Sequence, residues 1–467
     1  LFQVPSLGGI PTKLAEDVDS PVTLSPDDKH LAFIRYSPSE RGIIIANVDG
    51  TGERKLASTP QAASFRIGVT GLLPLAWIPP AWSPDGKILA CPVTVTGPEG
   101  EYQTVWAFQV EDGDGHSLAS QRWRTVGRME WLGDGSGLLV SAADQEANPT
   151  QQIWYVAYPG GATRRVTNDL NDYRDLSVTK DGKTLIAVQS ERRANIFVAT
   201  APDTSHPAQL TFTNYDGLGG LAWAPDGRLV YTLQAGGEQN LWVNDLNGNT
   251  KQLTAHAGLN RQPVVSPDGH HIVFVSNRTG LSHIWRMDAD GAHPQELTHG
   301  AQDSEPDISA DGQWVIYRSV VSGRGNIFRV GINGGEPLLV TNGISALPVV
   351  SPDGNQVALI YRPASAARNQ IAVMPFAGGE PRLIHELPAH YGRFSWMPDG
   401  SGVVYADKQS GLGNLWVQPL DGGPPKQLTF WASNPIFSFT WSRDGNRLAF
   451  AGGTQTSDLV LIDDVGR

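Results

Sequence analysis

Along most of the chain, apolar and polar residues alternate over runs of about four to six positions, each run cut by Gly, Pro, Asn or Asp. Side chains of a strand point to opposite faces in turn, so a period of two predicts half-buried strands and not helices. The segment "RLVYTLQAGGEQNLWVNDLNGNTKQLT", residues 228–254, shows one full cycle. It runs through an alternating stretch, a variable linker, an aromatic-rich strand, a Gly-containing turn and a strand ending in Leu-Thr. With the apolar stretch and turn that precede it, each cycle predicts a four-stranded antiparallel meander.

Aligned on the aspartate of that turn, the cycle occurs ten times, at Asp27, Asp85, Asp134, Asp181, Asp226, Asp268, Asp311, Asp353, Asp399 and Asp444. From Asp134 onward the spacing is 42 to 47 residues. One such meander cannot bury both its faces. Stacking the sheets radially covers each face with a neighbour, and the period is that of propeller blades. The expected class is therefore all-β, a β-propeller of about ten four-stranded blades. Tryptophans keep the same register: Trp82, Trp131, Trp223, Trp396 and Trp441 precede the turn, and Trp106, Trp154, Trp242, Trp285 and Trp416 sit in the third strand. A recurrent tryptophan is expected to pack between blades. The turn reads Ser-Pro-Asp-Gly in its fullest form, with residue types suited to a type I turn. Because the aspartate stays in all ten copies, it is expected to be a turn residue and not a catalytic one.

Composition narrows the picture. The chain of 467 residues carries 52 Gly and 33 Pro, is 40% apolar and 18% charged, and has a net charge of −12 with the charges scattered. No basic stripe is present to neutralise a phosphate backbone, so nucleic acid is not an expected partner. A single cysteine, Cys91 in "KILAC", cannot form an internal disulfide and is expected to be buried. No run of about 18 apolar residues exists to span a bilayer, and membrane insertion by this chain is not expected. The opening "LFQVPSLGG" lacks the regions of a signal peptide and reads as the middle of a repeat.

The segments "WSPDGKILA", "WAPDGRLVYT", "VSPDGHHIVFVSNRTGLSHIWRMDADG" and "WSRDGNRLAFAGG" resemble the TolB-type β-propeller repeat of bacteria, over nearly the whole chain. More narrowly, "LFQVPSLGGIPTKLAEDVDSPVTLSPDDKHLAFIR", "QQIWYVAYPGGATRRVTNDLNDY" and "QPLDGGPPKQLTF" resemble the propeller region that follows a membrane helix in bacterial serine/threonine kinases and winged-helix regulators. The resemblance implies a periplasmic or extracytoplasmic sensory, protein- or ligand-binding module of a signalling protein, tethered through an upstream segment. No kinase motif lies in this chain.

"LFQV" and "IPTKL" match the third and fourth strands of a blade, and "LVLIDD", residues 459–464, matches a third strand lacking its fourth. "AQLTF", residues 208–212, supplies that fourth strand in the preferred partition. This gives an incomplete first propeller over 1–207, of about four blades plus a partial one, and a six-bladed propeller over 208–467. A seven-bladed second ring closed by "RRVTN", residues 164–168, and a single ring of about ten blades are the alternatives. The step from Asp27 to Asp85 holds an insertion, "FRIGVTGLLPLAWIPP", expected to pack between the rings.

Catalytic motifs are weak. No Gly-x-Ser-x-Gly is present; "GDGSG" at 133–137 has its serine misplaced and sits in a hairpin turn. "HELPAH", residues 385–390, has the wrong histidine spacing and a proline for a zinc-protease helix, and His270 and His271 point to opposite faces of a strand. "GDGDGHS" and "MDADGAH" lack the remaining ligands of a calcium loop. "DGKT", residues 181–184, has Ser177 where a phosphate loop needs glycine. No metal or other cofactor is expected.

Function is expected on the connectors that lead from each fourth strand to the next first strand, where the repeat stops repeating. The candidate binding residues at the channel mouth are Tyr173, Arg174, Tyr215, Arg261, Asp303, Glu305, Tyr391 and Arg393. The favoured expectation is a non-catalytic module whose partner is a protein or a small-molecule ligand. The alternative is a metal-dependent propeller lyase or the gating propeller of a peptidase, for which the connectors offer only His256, His299 and His390.

Overall fold

The computed structural model describes the chain apart from residues 5–7, 37–40, 59–62, 66–77, 98–99, 145–149, 170, 180, 202, 236–237, 301, 322–323, 342, 364–368, 387–390, 408–412, 432–434 and 464–467. The described residues form strands and turns and no helix, as the period of two predicts. None of them therefore forms a helix long and apolar enough to cross a membrane. Most of the insertion "FRIGVTGLLPLAWIPP" lies outside the described residues. The chain divides into two compact units: Leu1–Glu191 with Thr456–Arg467, called unit 1, and Arg192–Gln455, called unit 2. The sequence sets one boundary, at 207/208; the compact units divide the chain twice, at 191/192 and 455/456.

Unit 2 contains five four-stranded antiparallel sheets in simple chain order. Their first strands are Asp216–Trp223 (sheet I), Asn260–Val265 (II), Asp303–Ile308 (III), Ile344–Val350 (IV) and Tyr391–Trp396 (V), and their last are Thr250–Gln252, Gln295–Glu296, Leu338–Leu339, Arg382–Glu386 and Lys426–Gln427. Sheet VI draws on both ends of the unit. Ile436–Trp441 pairs with the beginning of Arg447–Asp463, the end of Thr184–Thr200 supplies the third strand, and Ala208–Gln209 pairs with Phe197 and Val198 as the fourth. The sequence reading assigned that third place to "LVLIDD". It is taken instead by residues around Ala194–Thr200, against which Gly453 lies so closely that any Cβ there would strike the Arg193 carbonyl. The first strands touch in cyclic order from I to VI, and that of VI returns to that of I. This is the arrangement in which each sheet covers its neighbour's face.

Unit 1 holds a four-stranded sheet of Thr23–Leu24, His30–Tyr36, Arg41–Asn47 and Arg54–Ser58. Next comes a nine-stranded sheet in which two meanders, one around Ile88–Gly97 and Gly100–Gln109 and one around Trp123–Trp131 and Gly137–Asp144, are joined by a single residue pair, Gln103 with Trp123. Asp172–Val178 then pairs with the beginning of Thr184–Thr200. The end of Arg447–Asp463 completes that meander: Thr184 donates to Asp463 at 2.8 Å, Ser190 meets Ser457 at 2.8 Å, and Val460 and Ile462 pack with Tyr173 and Leu185.

The repeat works locally through three devices. Each of the ten turn aspartates accepts the backbone N–H two residues on. Where Ser or Thr opens the turn, its hydroxyl donates to the same carboxylate. Those hydroxyl bonds hold Asp268 below the usual carboxylate range and Asp444 down to about 2. The threonine that ends "Leu-Thr" accepts the N–H of its own third strand, as Thr254 does from Leu241 and Thr298 from Ile284. Each such bond contributes about 1 kcal/mol net. The tryptophans before the turn bridge sheets: Trp396 Nε1 donates to the Val349 carbonyl at 2.9 Å and Trp223 Nε1 to that of Thr440 at 3.3 Å in unit 2, and Trp131 Nε1 to that of Ala81 at 3.1 Å in unit 1. Cys91 is fully buried, and burial pushes its thiol up.

Candidate functional site

The first strands of unit 2 share one irregularity near their beginnings. Register shifts fall between Asp216 and Leu221, Arg261 and Val264, Ser304 and Asp307, Ala346 and Val349, Tyr391 and Phe394, and Ile436 and Ser438. In sheets II, III and IV the residue at the bulge precedes a proline and has a left-handed φ: Gln262 at 56°, Glu305 at 58° and Leu347 at 51°. Proline has no N–H to give to a ladder, so the strand bulges where it stands. Neighbouring bulges answer one another. The Glu305 N–H donates to Gln262 Oε1 at 2.7 Å, and the Leu347 N–H donates to Glu305 Oε2 at 2.6 Å. A left-handed φ at non-glycine residues costs energy that the surroundings must supply, and such strain gathers at binding sites.

Three charges from three sheets converge beside this belt. Arg261 comes from sheet II, Glu305 from III and Arg393 from V, which stands opposite II in the cycle. Both guanidiniums are half-buried, and burial holds both below the usual arginine range. The Glu305 charge opposes that fall at each of them, and Arg261 adds to it at Arg393. Arg393 Nη2 donates to the Gly219 carbonyl at 3.0 Å. A Cβ at Gly220, whose φ is 138°, would lie 3.4 Å from that same nitrogen, so sheet I is bare where Arg393 arrives. Arg261 makes no hydrogen bond to any described residue.

The other sequence candidates stand apart from this group. Asp303 is 1% exposed; its Oδ2 accepts Thr298 Oγ1 at 2.6 Å and the Gly300 N–H at 3.0 Å, with His283 Nδ1 at 3.3 Å. Burial works against its charge, and these hydrogen bonds more than offset it, holding the carboxyl below its usual range. Tyr215 lies beside the enclosed Asp216 at the start of sheet I. The side chain of Tyr391 lies outside the described residues. In unit 1, Tyr173 is buried and donates to Asp169 Oδ2 at 2.7 Å, and burial with that carboxylate pushes its phenol up to about 12. Arg174 pairs with Asp172 at 2.6 Å.

Of the histidines weighed for a metal, His256 stands 3.8 Å from Glu238 and His299 stands 3.6 Å from Glu296. His390 lies outside the described residues. Among the described residues no group of three His, Cys, Asp or Glu is placed to hold a metal ion.

Residues 218–346 match the model of the TolB beta propeller domain. The matched stretch begins in sheet I and ends in sheet IV, so Arg261 and Glu305 stand within it. Among curated proteins, the Tol-Pal system protein TolB of Bordetella parapertussis is 26% identical over 220 residues, 43% of this chain and 45% of that protein. Tricorn protease homolog 1 of Streptomyces coelicolor is 31% identical over 96 residues, 20% of this chain and 9% of that protein. The chain spans less than half the length of the curated relatives it matches. A solved structure of a TolB from Agrobacterium tumefaciens is 21% identical, with a TM-score of 0.48, covering 56% of this chain and 99% of that one.

The sequence points to both arginines and the glutamate of the unit 2 ring, yet not to the belt that joins them. Its signal was present as Gln-Pro, Glu-Pro and Leu-Pro at 262–263, 305–306 and 347–348, each inside a stretch otherwise reading as a strand. Asp307 was missed as well. Its carboxylate accepts the Val350 N–H at 2.7 Å, and burial raises it to about 6 against the pull of that bond and of the Arg443 charge.

Proposed function

We propose that the chain is a non-catalytic binding module in which the ring of unit 2 acts as a six-bladed propeller and receives a ligand or protein partner at the centre of the face carrying Arg261, Glu305 and Arg393. The observation that carries this reading is that Arg393 of sheet V reaches the Gly219 carbonyl of sheet I beside Gln262 of sheet II, where the charges of Arg261 and Glu305 also act on it. A half-buried guanidinium whose donors no protein group takes keeps them free for a ligand. The resemblance to the propeller region of bacterial membrane-tethered kinases and winged-helix regulators supports a sensory role and an extracytoplasmic location.

The test is site-specific photo-crosslinking in a bacterial host that carries the gene. A photoreactive residue in place of Gln262, on the belt, is compared with one in place of Lys251, on a fourth strand. A defined adduct from position 262 and none from position 251 is the expected result. Equal labelling at both, or turnover of a peptide or polysaccharide substrate by the purified chain, would refute the reading.

A further inference from the structure

We infer that the centre of the unit 2 ring is a site for a carboxylate group, held between the guanidiniums of Arg261 and Arg393. This rests on the binding reading above and names the chemistry that the ring would recognise.

Charge counting gives the first reason. Two arginines and one glutamate leave a single positive charge at the convergence. Glu305 makes no contact ion pair with either arginine: its Oε2 takes the Leu347 N–H, so it acts on them at a distance and leaves their donors unused. Of the carboxylates on the first strands, Asp216 takes the Thr213 hydroxyl at 2.6 Å and Asp303 takes the Thr298 hydroxyl and the Gly300 N–H.

Donor geometry gives the second. Arg393 spends Nη2 on the Gly219 carbonyl, which fixes the guanidinium, and Arg261 spends nothing. A planar guanidinium offers paired N–H groups that match the two oxygens of a carboxylate. The third reason is selectivity. A phosphate monoester carries about 1.5 to 2 negative charges at neutral pH, and its second charge would meet the resident Glu305. A monoanion closes the balance without that repulsion. The left-handed residues of the belt keep the site in place before the ligand arrives, since two hydrogen bonds tie sheets II, III and IV together there.

The experiment uses the full chain and 4-fluorobenzoate as a fluorine NMR reporter, with 4-fluorobenzamide as its neutral counterpart. Saturable binding of the acid and none of the amide is expected. Arg261→Gln should weaken binding by about tenfold or more, as loss of a charge-assisted fork does. Glu305→Gln, which keeps an oxygen for the Leu347 N–H and removes the resident charge, should tighten binding several-fold, an effect that a merely structural role would not produce. Displacement of the reporter by N-acetyl-trialanine points to a peptide end as the natural source of the carboxylate, and displacement by glucuronate to a sugar acid.

Equal binding of acid and amide, an unchanged Arg261→Gln, a weakened Glu305→Gln, tighter binding of inorganic phosphate than of the acid, or a reporter that neither competitor displaces would each overturn the assignment. If position 262 crosslinks to a partner while 4-fluorobenzoate ignores Arg261, the carboxylate assignment fails and the binding reading stands.

Discussion

Unit 1 and unit 2 use the same meander and treat charge near the beginning of a first strand in opposite ways. In unit 1, Arg174 finds Asp172 two residues away and Tyr173 finds Asp169 and Gln189, so both side chains are answered by near neighbours. In unit 2, Arg261 finds no hydrogen-bond partner, and Arg393 reaches from sheet V to a carbonyl of sheet I. The contrast separates residues that hold a sheet from residues that wait for something. Residue type does not make that separation, since an arginine stands on each side; the neighbours do.

The comparison can be strained hardest through the cores. Phe274 is fully buried between sheets of unit 2, and Phe274→Ala is expected to cost about 3–5 kcal/mol. Hydrogen exchange should then quicken in sheets I and II far more than in the strands around Trp123. Uniform quickening would show that the two units share one cooperative transition.

Next in size is Asp303→Ala, which orphans the Thr298 hydroxyl and the Gly300 N–H and should cost about 1–3 kcal/mol. Denaturant titration measures it, and a loss below that range would place Asp303 with the waiting residues and not with the structural ones.

Asp307 offers a pH handle. Its folded-state value, about 6, lies above the ordinary aspartate value, so the fold binds this proton more tightly than the unfolded chain does. Its contribution is fullest below about pH 4 and is lost as pH rises through about 6, an effect on the order of 1 kcal/mol. Asp307→Asn should flatten the stability profile of unit 2 in that window and leave the profile outside it unchanged.

The smallest effects are the sharpest for the comparison. Arg174→Gln should cost less than about 1 kcal/mol, as a partly exposed pair does. Arg261→Gln should raise the melting temperature, a gain of less than about 1 kcal/mol, because it removes a half-buried charge that only Glu305, at a distance, offsets. A loss of stability from Arg261→Gln would erase the distinction between the two units.

Much of the architecture was legible. The alternation of "RLVYT" and "HIVFVS", the turn at each aspartate and the tryptophan register all carry local physics that repeats, so they survive reading without a structure. Arg261, Glu305 and Arg393 were legible as connector residues, and their convergence was not, since it depends on which sheet stands opposite which. Strand exchange escaped because the repeat predicts a hairpin between residues 190 and 195, while "TLIAVQSERRANIFVAT" contains no Gly or Pro to turn the chain there. The chain runs straight on as one 17-residue strand, Thr184–Thr200, and does so again over Arg447–Asp463.

Along the chain, unit 2 is a guest inserted between the two parts of its host, unit 1. The chain leaves its host after Glu191 and returns at Thr456, and at the doorway Arg192 Nε meets Gln455 Oε1 at 3.2 Å. On the ribosome, the strand begun at Thr184 must then wait until the whole inserted ring has been made before residues 456–463 arrive to lie beside it. The host is the last of the two to receive all its strands.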